Sequence, residues 1–214
     1  MATEQVSYHG NPNLKPLAYQ HDFTKEEIAE YVKCQNDPKY FIENYVKIVT
    51  LDQGLQPFKL FECQKGKVDL IMNERKVILM EGRQQGKTVT AAACILHYTI
   101  FQEDKTVAIM ANKASAAREV LNRYQIMYEN LPLWMQQGVR VWNKGDVELE
   151  NNSKVLSAAT TASAIRGKSV NWLYIDEAAI IPNNIADEFF TSVYPTISAG
   201  ETTKILLTST PLGY

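Results

Sequence analysis

The sequence contains no apolar run approaching the twenty residues that a membrane-crossing helix needs, and its first thirty residues lack the apolar core of a secretory leader. Cysteine is scarce: Cys34, Cys63 and Cys94 are scattered, odd in number and without a CxxC pair. That pattern excludes a disulfide framework and a zinc site, and it suggests a reducing compartment. Net charge is also small. At −2 over 214 residues, the chain as a whole carries no electrostatic footprint of a tight nucleic-acid binder. A grip on DNA would have to be local, transient or supplied by something else. Internal repeats and low-complexity tracts are absent. The length suffices for one α/β core with a smaller appended segment.

The first twenty or so residues, with Gly10, Pro12 and Pro16 among polar neighbours, read as an extended arm without a core of its own. Thr24-Lys25-Glu26-Glu27 forms a capping box that opens a helix carrying Ile28, Tyr31 and Val32. Asp37-Pro38 offers a second cap, with proline at the first helical position. Residues 51–57, containing Gly54 and Pro57, read as a loop before a helix over about 59–73. From there short apolar runs alternate with helical segments. Strands are expected at 76–81, 106–111, 139–142, 147–149, 155–158, 172–176 and 205–208, and helices at 87–101, 115–130 and near 185–193. This alternation implies a mostly parallel sheet covered on both faces, with a hairpin around residues 143–146. The expected organisation is an arm (1–22), a helical segment (23–74) and an α/β core (75–214).

Two segments carry chemistry. Glu81-Gly82-Arg83-Gln84-Gln85-Gly86-Lys87-Thr88 follows an apolar strand and opens a helix. Backbone N–H groups at such a helix start converge on phosphates, and the helix dipole favours their charge. Gly86 permits close backbone approach, Lys87 reaches β- and γ-phosphates, and Thr88 presents a hydroxyl to magnesium. The spacing departs from G-x4-G-K-[ST]: the first glycine stands at Gly82, one position late. A plain strand-turn-helix is the alternative for this segment alone. The second segment, residues 170–177, is a buried-type strand ending in Asp176-Glu177. The first acid of such a pair binds magnesium and the second orients and deprotonates a water. Taken alone it could be a solvated acidic turn; the two segments together point to a P-loop ATPase that uses ATP and Mg2+. Trp134, Trp142 and Trp172 are expected in the core rather than stacking on bases, and His97 as a packing residue.

These segments together resemble the ATPase domain of the large terminase subunit of tailed bacteriophages, most of all those with contractile tails. The resemblance runs from about Asn13 to the last residue. It rests on residues 40–45, the deviant Walker A of residues 82–88, Trp142-Asn143-Lys144-Gly145, Ile165-Arg166-Gly167-Lys168-Ser169, Ile175-Asp176-Glu177-Ala178 and Thr208-Ser209-Thr210-Pro211. The late glycine, followed by Arg83, is a mark of this family. The resemblance implies an ASCE or RecA-like P-loop fold and assigns roles. Glu177 would be the catalytic base. Arg83 would contact the γ-phosphate from within the subunit, and Arg166 would reach a neighbouring subunit's nucleotide. Gln64 would read the adenine edge. Gly82, Arg83, Gln84, Gln85, Gly86, Lys87 and Thr88 would bind nucleotide, and Thr88 and Asp176 would hold the metal. Thr208, Ser209 and Thr210 would form the coupling motif.

The implied activity is ATP hydrolysis driving double-stranded DNA into a procapsid. The implied partners are the viral DNA, a portal protein, a small terminase subunit and further copies in a homo-oligomeric ring, without a membrane. The implied location is the host cytoplasm, transiently on the procapsid and not in the mature virion. A nuclease domain of the RNase H-like kind would follow in the family, so no nuclease activity is expected of these residues. A strand beyond Tyr214 would be needed to cover Ile205-Leu206-Leu207. A superfamily-two helicase fragment and a non-catalytic nucleotide-binding module are the alternatives.

Overall fold

The computed structural model describes residues 7–161, 165, 167–198 and 200–211. The N-terminal arm packs on the main body: Leu14 is buried in the main core, and the Lys15 carbonyl accepts from the N–H of Val139 at 2.9 Å. Helix α1 (Lys25–Asn36) starts at the Thr24 capping box, in which Thr24 Oγ1 accepts from Glu27 N at 3.1 Å and Glu27 returns its carboxylate to Thr24 N at 3.0 Å. Helix α2 (Pro38–Tyr45) is capped by Asp37, which accepts from Tyr40 N, with Pro38 at the first position.

Strands β1 (Lys47–Thr50) and β2 (Gly54–Pro57) form an antiparallel hairpin where a loop is expected over 51–57. Neither strand has a fully buried residue, and the alternation of β1, with Ile48 partly buried against the first core, covers only four residues; the Gly54 and Pro57 signals dominate the reading. Helix α3 (Glu62–Asn73) leads to β3 (Lys76–Met80), and α4 (Lys87–Phe101) follows the phosphate-type loop. Then come β4 (Thr106–Ala111), α5 (Ala114–Glu129), β5 (Val139–Trp142), β6 (Asp146–Leu149), β7 (Lys154–Ala159), β8 (Trp172–Asp176), α6 (Asn183–Ser198) and β9 (Lys204–Ser209).

Among the described residues, seven strands make one sheet in the order β3-β9-β8-β4-β7-β6-β5. The first five run parallel, and β6 and β5 add antiparallel as the expected hairpin. The two faces follow from residue parity. On β4, Val107, Ile109 and Ala111 join α4 and α5 in one core, whereas Ala108 and Met110 join α6 in a second. Strand β8 divides likewise, Trp172 and Tyr174 facing the first core and Leu173 and Ile175 the second. Helix α4 is buried on every side, as its uniformly apolar composition requires. Helix α6 runs past the expected Val193 to Ser198 and carries Pro195 within it.

Strand β9 lies between β3 and β8, so Ile205, Leu206 and Leu207 are already paired on both sides. Among the described residues the edge on this side of the sheet is instead β3, where Ile78 and Met80 are exposed. Trp172 is fully buried, Trp134 and Trp142 pack partly buried against the first core, and His97 is buried.

Candidate active site

The parallel strands β3, β8 and β9 end side by side, and their C-terminal ends deliver three chemically active segments to one place. Ligands of open α/β sheets gather there. After β3 the chain turns through residues 81–86. Gln84 (φ 63°) and Gly86 (φ 75°) both adopt left-handed backbone, and α4 begins at Lys87. The left-handed φ favours glycine at 86, and its lack of a Cβ also lets the Gln64 amide lie against the loop, where a Cβ would have to push that side chain aside. Helix α4 has no acid in its first turn and no side-chain cap, leaving its N-terminal dipole uncompensated from within the helix.

Lys87 is buried, and its Nζ lies 3.0 Å from Glu177 Oε1 and donates to Thr210 Oγ1 at 2.6 Å. The Thr88 hydroxyl sits 3.3 Å and 3.2 Å from the two carboxylate oxygens of Asp176. Asp176 closes β8 and also accepts from Thr208 Oγ1 at 2.7 Å and Tyr174 OH at 3.0 Å. Tyr174 is fully buried; burial first, and then the charge of Asp176, push its phenol well above the ordinary value, so it remains a donor. Glu177 is a non-glycine residue in left-handed backbone (φ 51°, ψ 49°). That turn sends its carboxylate back across the site instead of along the strand. Thr210 meets it with two hydrogen bonds, from N at 3.0 Å and from Oγ1 at 2.9 Å. Burial alone would raise the Glu177 carboxyl, but hydrogen bonds from Lys87 and Thr210 outweigh it and hold the group below the ordinary carboxylate range.

The last two residues of β9 and the one that follows thus hold three points at and just after the end of β8. Thr208 holds Asp176, Ser209 Oγ accepts from Ala179 N at 3.2 Å, and Thr210 holds Glu177. The β3–β9 ladder is extended into the loop by a bond from Glu81 N to the Ser209 carbonyl at 3.1 Å.

Gln64 sits buried in the first turn of α3, its Oε1 accepting from Phe61 N at 3.0 Å. It borders a cleft of about 520 Å³ whose other walls include Ile48, Phe61, Gln84, Gly86 and Val89. The unexpected β1–β2 hairpin forms one side of that cleft. Arg83 and Gly82 are exposed on the loop, as is Gln85. The structure therefore brings together Gln64, residues 82–88, Asp176, Glu177 and Thr208–Thr210; Arg166 lies outside the described residues. Tyr174 and Lys67, both buried against this site or its loop, were not among the residues singled out from sequence.

A family model described as "Terminase large subunit, T4likevirus-type, N-terminal" matches residues 78–213, more than half of the chain. The chain belongs to this large-terminase family. Solved large terminases share its fold. The HK97 bacteriophage large terminase superposes with a TM-score of 0.65 at 20% identity, over 82% of this chain and 37% of that one. The ATPase domain of the Thermus phage P74-26 large terminase gives 0.57 at 21%, over 73% of this chain and 67% of that domain. The large terminase of a thermophilic bacteriophage, in complex with ATP-γ-S, gives 0.51 at 10%, over 71% and 38%. At these identities the likeness is one of fold. This terminase chain spans little more than a third of the HK97 protein's length.

Proposed function

We propose that this terminase chain hydrolyses ATP and that the hydrolysis drives double-stranded DNA into a procapsid. The observation that carries the first part is the convergence of Lys87, Thr88, Asp176 and Glu177 at the ends of β3 and β8. The thermophilic phage's terminase, solved with ATP-γ-S, supports nucleotide as the ligand. Lys87 and Arg83 would bind γ-phosphate oxygens, the N–H groups of residues 84–88 the β-phosphate, and Gln64 the adenine edge in the cleft beside the hairpin.

The Thr88 hydroxyl and Asp176 carboxylate are adjacent hard oxygen donors, a set that fits Mg2+. Bound there, magnesium would neutralise charge between β- and γ-oxygens. Glu177 accepts the proton of the attacking water as its oxygen bonds to the γ-phosphorus. The bond to the bridging oxygen then breaks, and ADP leaves with that electron pair. Held below the usual range, the Glu177 carboxyl is ionised at neutral pH and ready to accept.

Thr210 accepts from Lys87 and donates to Glu177, so a γ-phosphate that draws Lys87 away also frees one side of Thr210. That exchange supports β9 as the element that senses the nucleotide. Arg166 would act on a neighbouring copy in a ring, with the portal protein and the small terminase subunit as further partners. Lys87→Ala is expected to abolish ATP-γ-S binding measured by titration calorimetry; unchanged affinity would remove the loop from the nucleotide site.

A further inference from the structure

Helix α3 buries Gln64, Lys67, Val68 and Ile71, at the i, i+3, i+4, i+7 spacing of an inward helical face. Val68 and Ile71 join the first core, as such a face should. The two polar members turn instead onto the phosphate-binding loop. Lys67 is 6% exposed. Its Nζ donates to Glu81 Oε2 at 2.6 Å and to the Gln85 carbonyl at 2.8 Å. Those acceptors stand at opposite shoulders of the loop, Glu81 just before Gly82 and Gln85 just before Gly86. Between and beside them lie the left-handed Gln84 and Gly86. Burying an ammonium group is unfavourable unless its hydrogen bonds are well made. Here both acceptors belong to the loop.

We propose that Lys67 is a positioning residue for nucleotide binding, stapling the two shoulders of the loop so that its N–H groups face a polyphosphate. The proposal rests on the nucleotide-binding reading of residues 82–88. Lys67 acts on the loop rather than as a phosphate ligand: two of its three N–H donors are engaged by Glu81 and Gln85, and the side chain is buried beneath the loop. With Glu81 it forms a neutral pair, so it adds no net charge to the phosphate site and acts through loop shape. Two consequences separate it from Lys87. Loss of Lys67 together with Glu81, which leaves the net charge unchanged, lowers nucleotide affinity without changing its salt dependence, whereas loss of Lys87 changes both. It also raises KM while leaving kcat at saturation, because a saturating nucleotide itself reshapes the loop.

The test is titration of ADP into the wild-type chain, Lys67→Met, and the double variant Lys67→Met with Glu81→Leu. The single variant leaves a part-buried carboxylate without its partner and loses thermal stability; the double removes that carboxylate and regains the melting midpoint. Both are expected to bind ADP at least about tenfold more weakly, the loss that accompanies a charged hydrogen bond. Wild-type affinity in a stably folded double variant would overturn the proposal, since Lys67 would then serve stability alone. Should the methionine variants fail to fold, Lys67→Gln keeps a polar –NH2 but is shorter and uncharged, and so cannot span both acceptors. It is expected to lose affinity, and wild-type binding in it refutes the staple. A wild-type chain that binds no ADP would sink the nucleotide reading separately. Amide exchange across residues 82–88 then decides the staple: faster exchange in Lys67→Met sustains it, and unchanged exchange overturns it.

Discussion

Replacing Glu177 with glutamine separates the two jobs its carboxylate performs. In the structure that carboxylate accepts three contacts: Lys87 Nζ at 3.0 Å, Thr210 Oγ1 at 2.9 Å and Thr210 N at 3.0 Å. The amide of Glu177→Gln keeps one oxygen, which can still accept from Thr210 N, while its –NH2 can donate to Thr210 Oγ1 once that hydroxyl turns, so the turn after β8 holds its place. The charge opposite Lys87 is lost. The Glu177 side chain is 33% exposed, so solvent screens the ion pair and its worth is at most about 1 kcal/mol. A γ-phosphate must compete with Glu177 for Lys87, and removing that competitor is expected to tighten ATP-γ-S binding by up to about fivefold. Turnover should move the other way. An amide cannot accept the water proton, and loss of a general base costs about two to four powers of ten in rate. Titration calorimetry with ATP-γ-S reads the first effect, and phosphate release at saturating ATP and Mg2+ the second. Turnover within about threefold of wild type would refute the role of Glu177 as base. Weaker binding would refute the argument that Glu177 contests Lys87.

Tyr174→Phe deletes one of the hydroxyls that donate to Asp176, leaving Thr208 in place. It is expected to raise the magnesium concentration needed for half-maximal turnover about threefold to tenfold, while ATP-γ-S affinity without metal stays level; an unchanged magnesium dependence would refute it. His97 Nε2 donates to the Cys34 carbonyl at 2.9 Å, and its Nδ1 has no partner among the described residues. Burial, opposed by backbone hydrogen bonds, lowers its pKa to about 4. The unfolded chain therefore binds this proton first, and stability falls as pH drops from about 6.5 to 4, by about 3 kcal/mol over the window. His97→Gln should flatten that part of a denaturation series, and an unaltered slope would refute the assignment. For Arg166, mixing Arg166→Ala with Glu177→Gln subunits should restore part of the activity if the arginine acts on a neighbour. No restoration in mixed assemblies of verified stoichiometry would count against it.

Much of this architecture is legible in the sequence because local chemistry and burial agree. Thr24 with Glu27, and Asp37 with Pro38, mark helix starts by caps that do form. Strands β4 and β8 are dominated by apolar residues because helices cover both faces. The features that escape reading lack such agreement. The β1–β2 hairpin is short and fully buries none of its side chains; the alternation of β1 spans only four residues, with Ile48 partly buried against the core, too brief a signal beside Gly54 and Pro57. A helix containing Pro195 invites an early stop, yet α6 continues to Ser198. Lys67 reads as an ordinary solvated lysine, because its acceptors lie 14 and 18 residues away. Only its place three residues after Gln64 and four before Ile71 marks it as inward-facing. Tyr174 looks like core, and it is core; the sequence does not reveal that its hydroxyl ends on a carboxylate. The hydroxyls of Thr208, Ser209 and Thr210 are conspicuous, but which group each one meets depends on the registers between β9, β3 and β8.

The pairing of β3 with β9 also has a mechanical side. The two strands run parallel from Lys76 opposite Ile205 to Met80 opposite Ser209, and among the described residues β3 has no strand on its outer flank. A pull on the backbone at Thr210, directed along the strand, loads all the ladder bonds together in shear instead of peeling them one by one. The phosphate-binding loop, anchored to the same ladder through Glu81, shifts with it. Because β9 is laddered to β8 as well as to β3, such a load is shared by two neighbours, and the more lightly held of them, β3 with the loop that follows it, is the one expected to yield with β9.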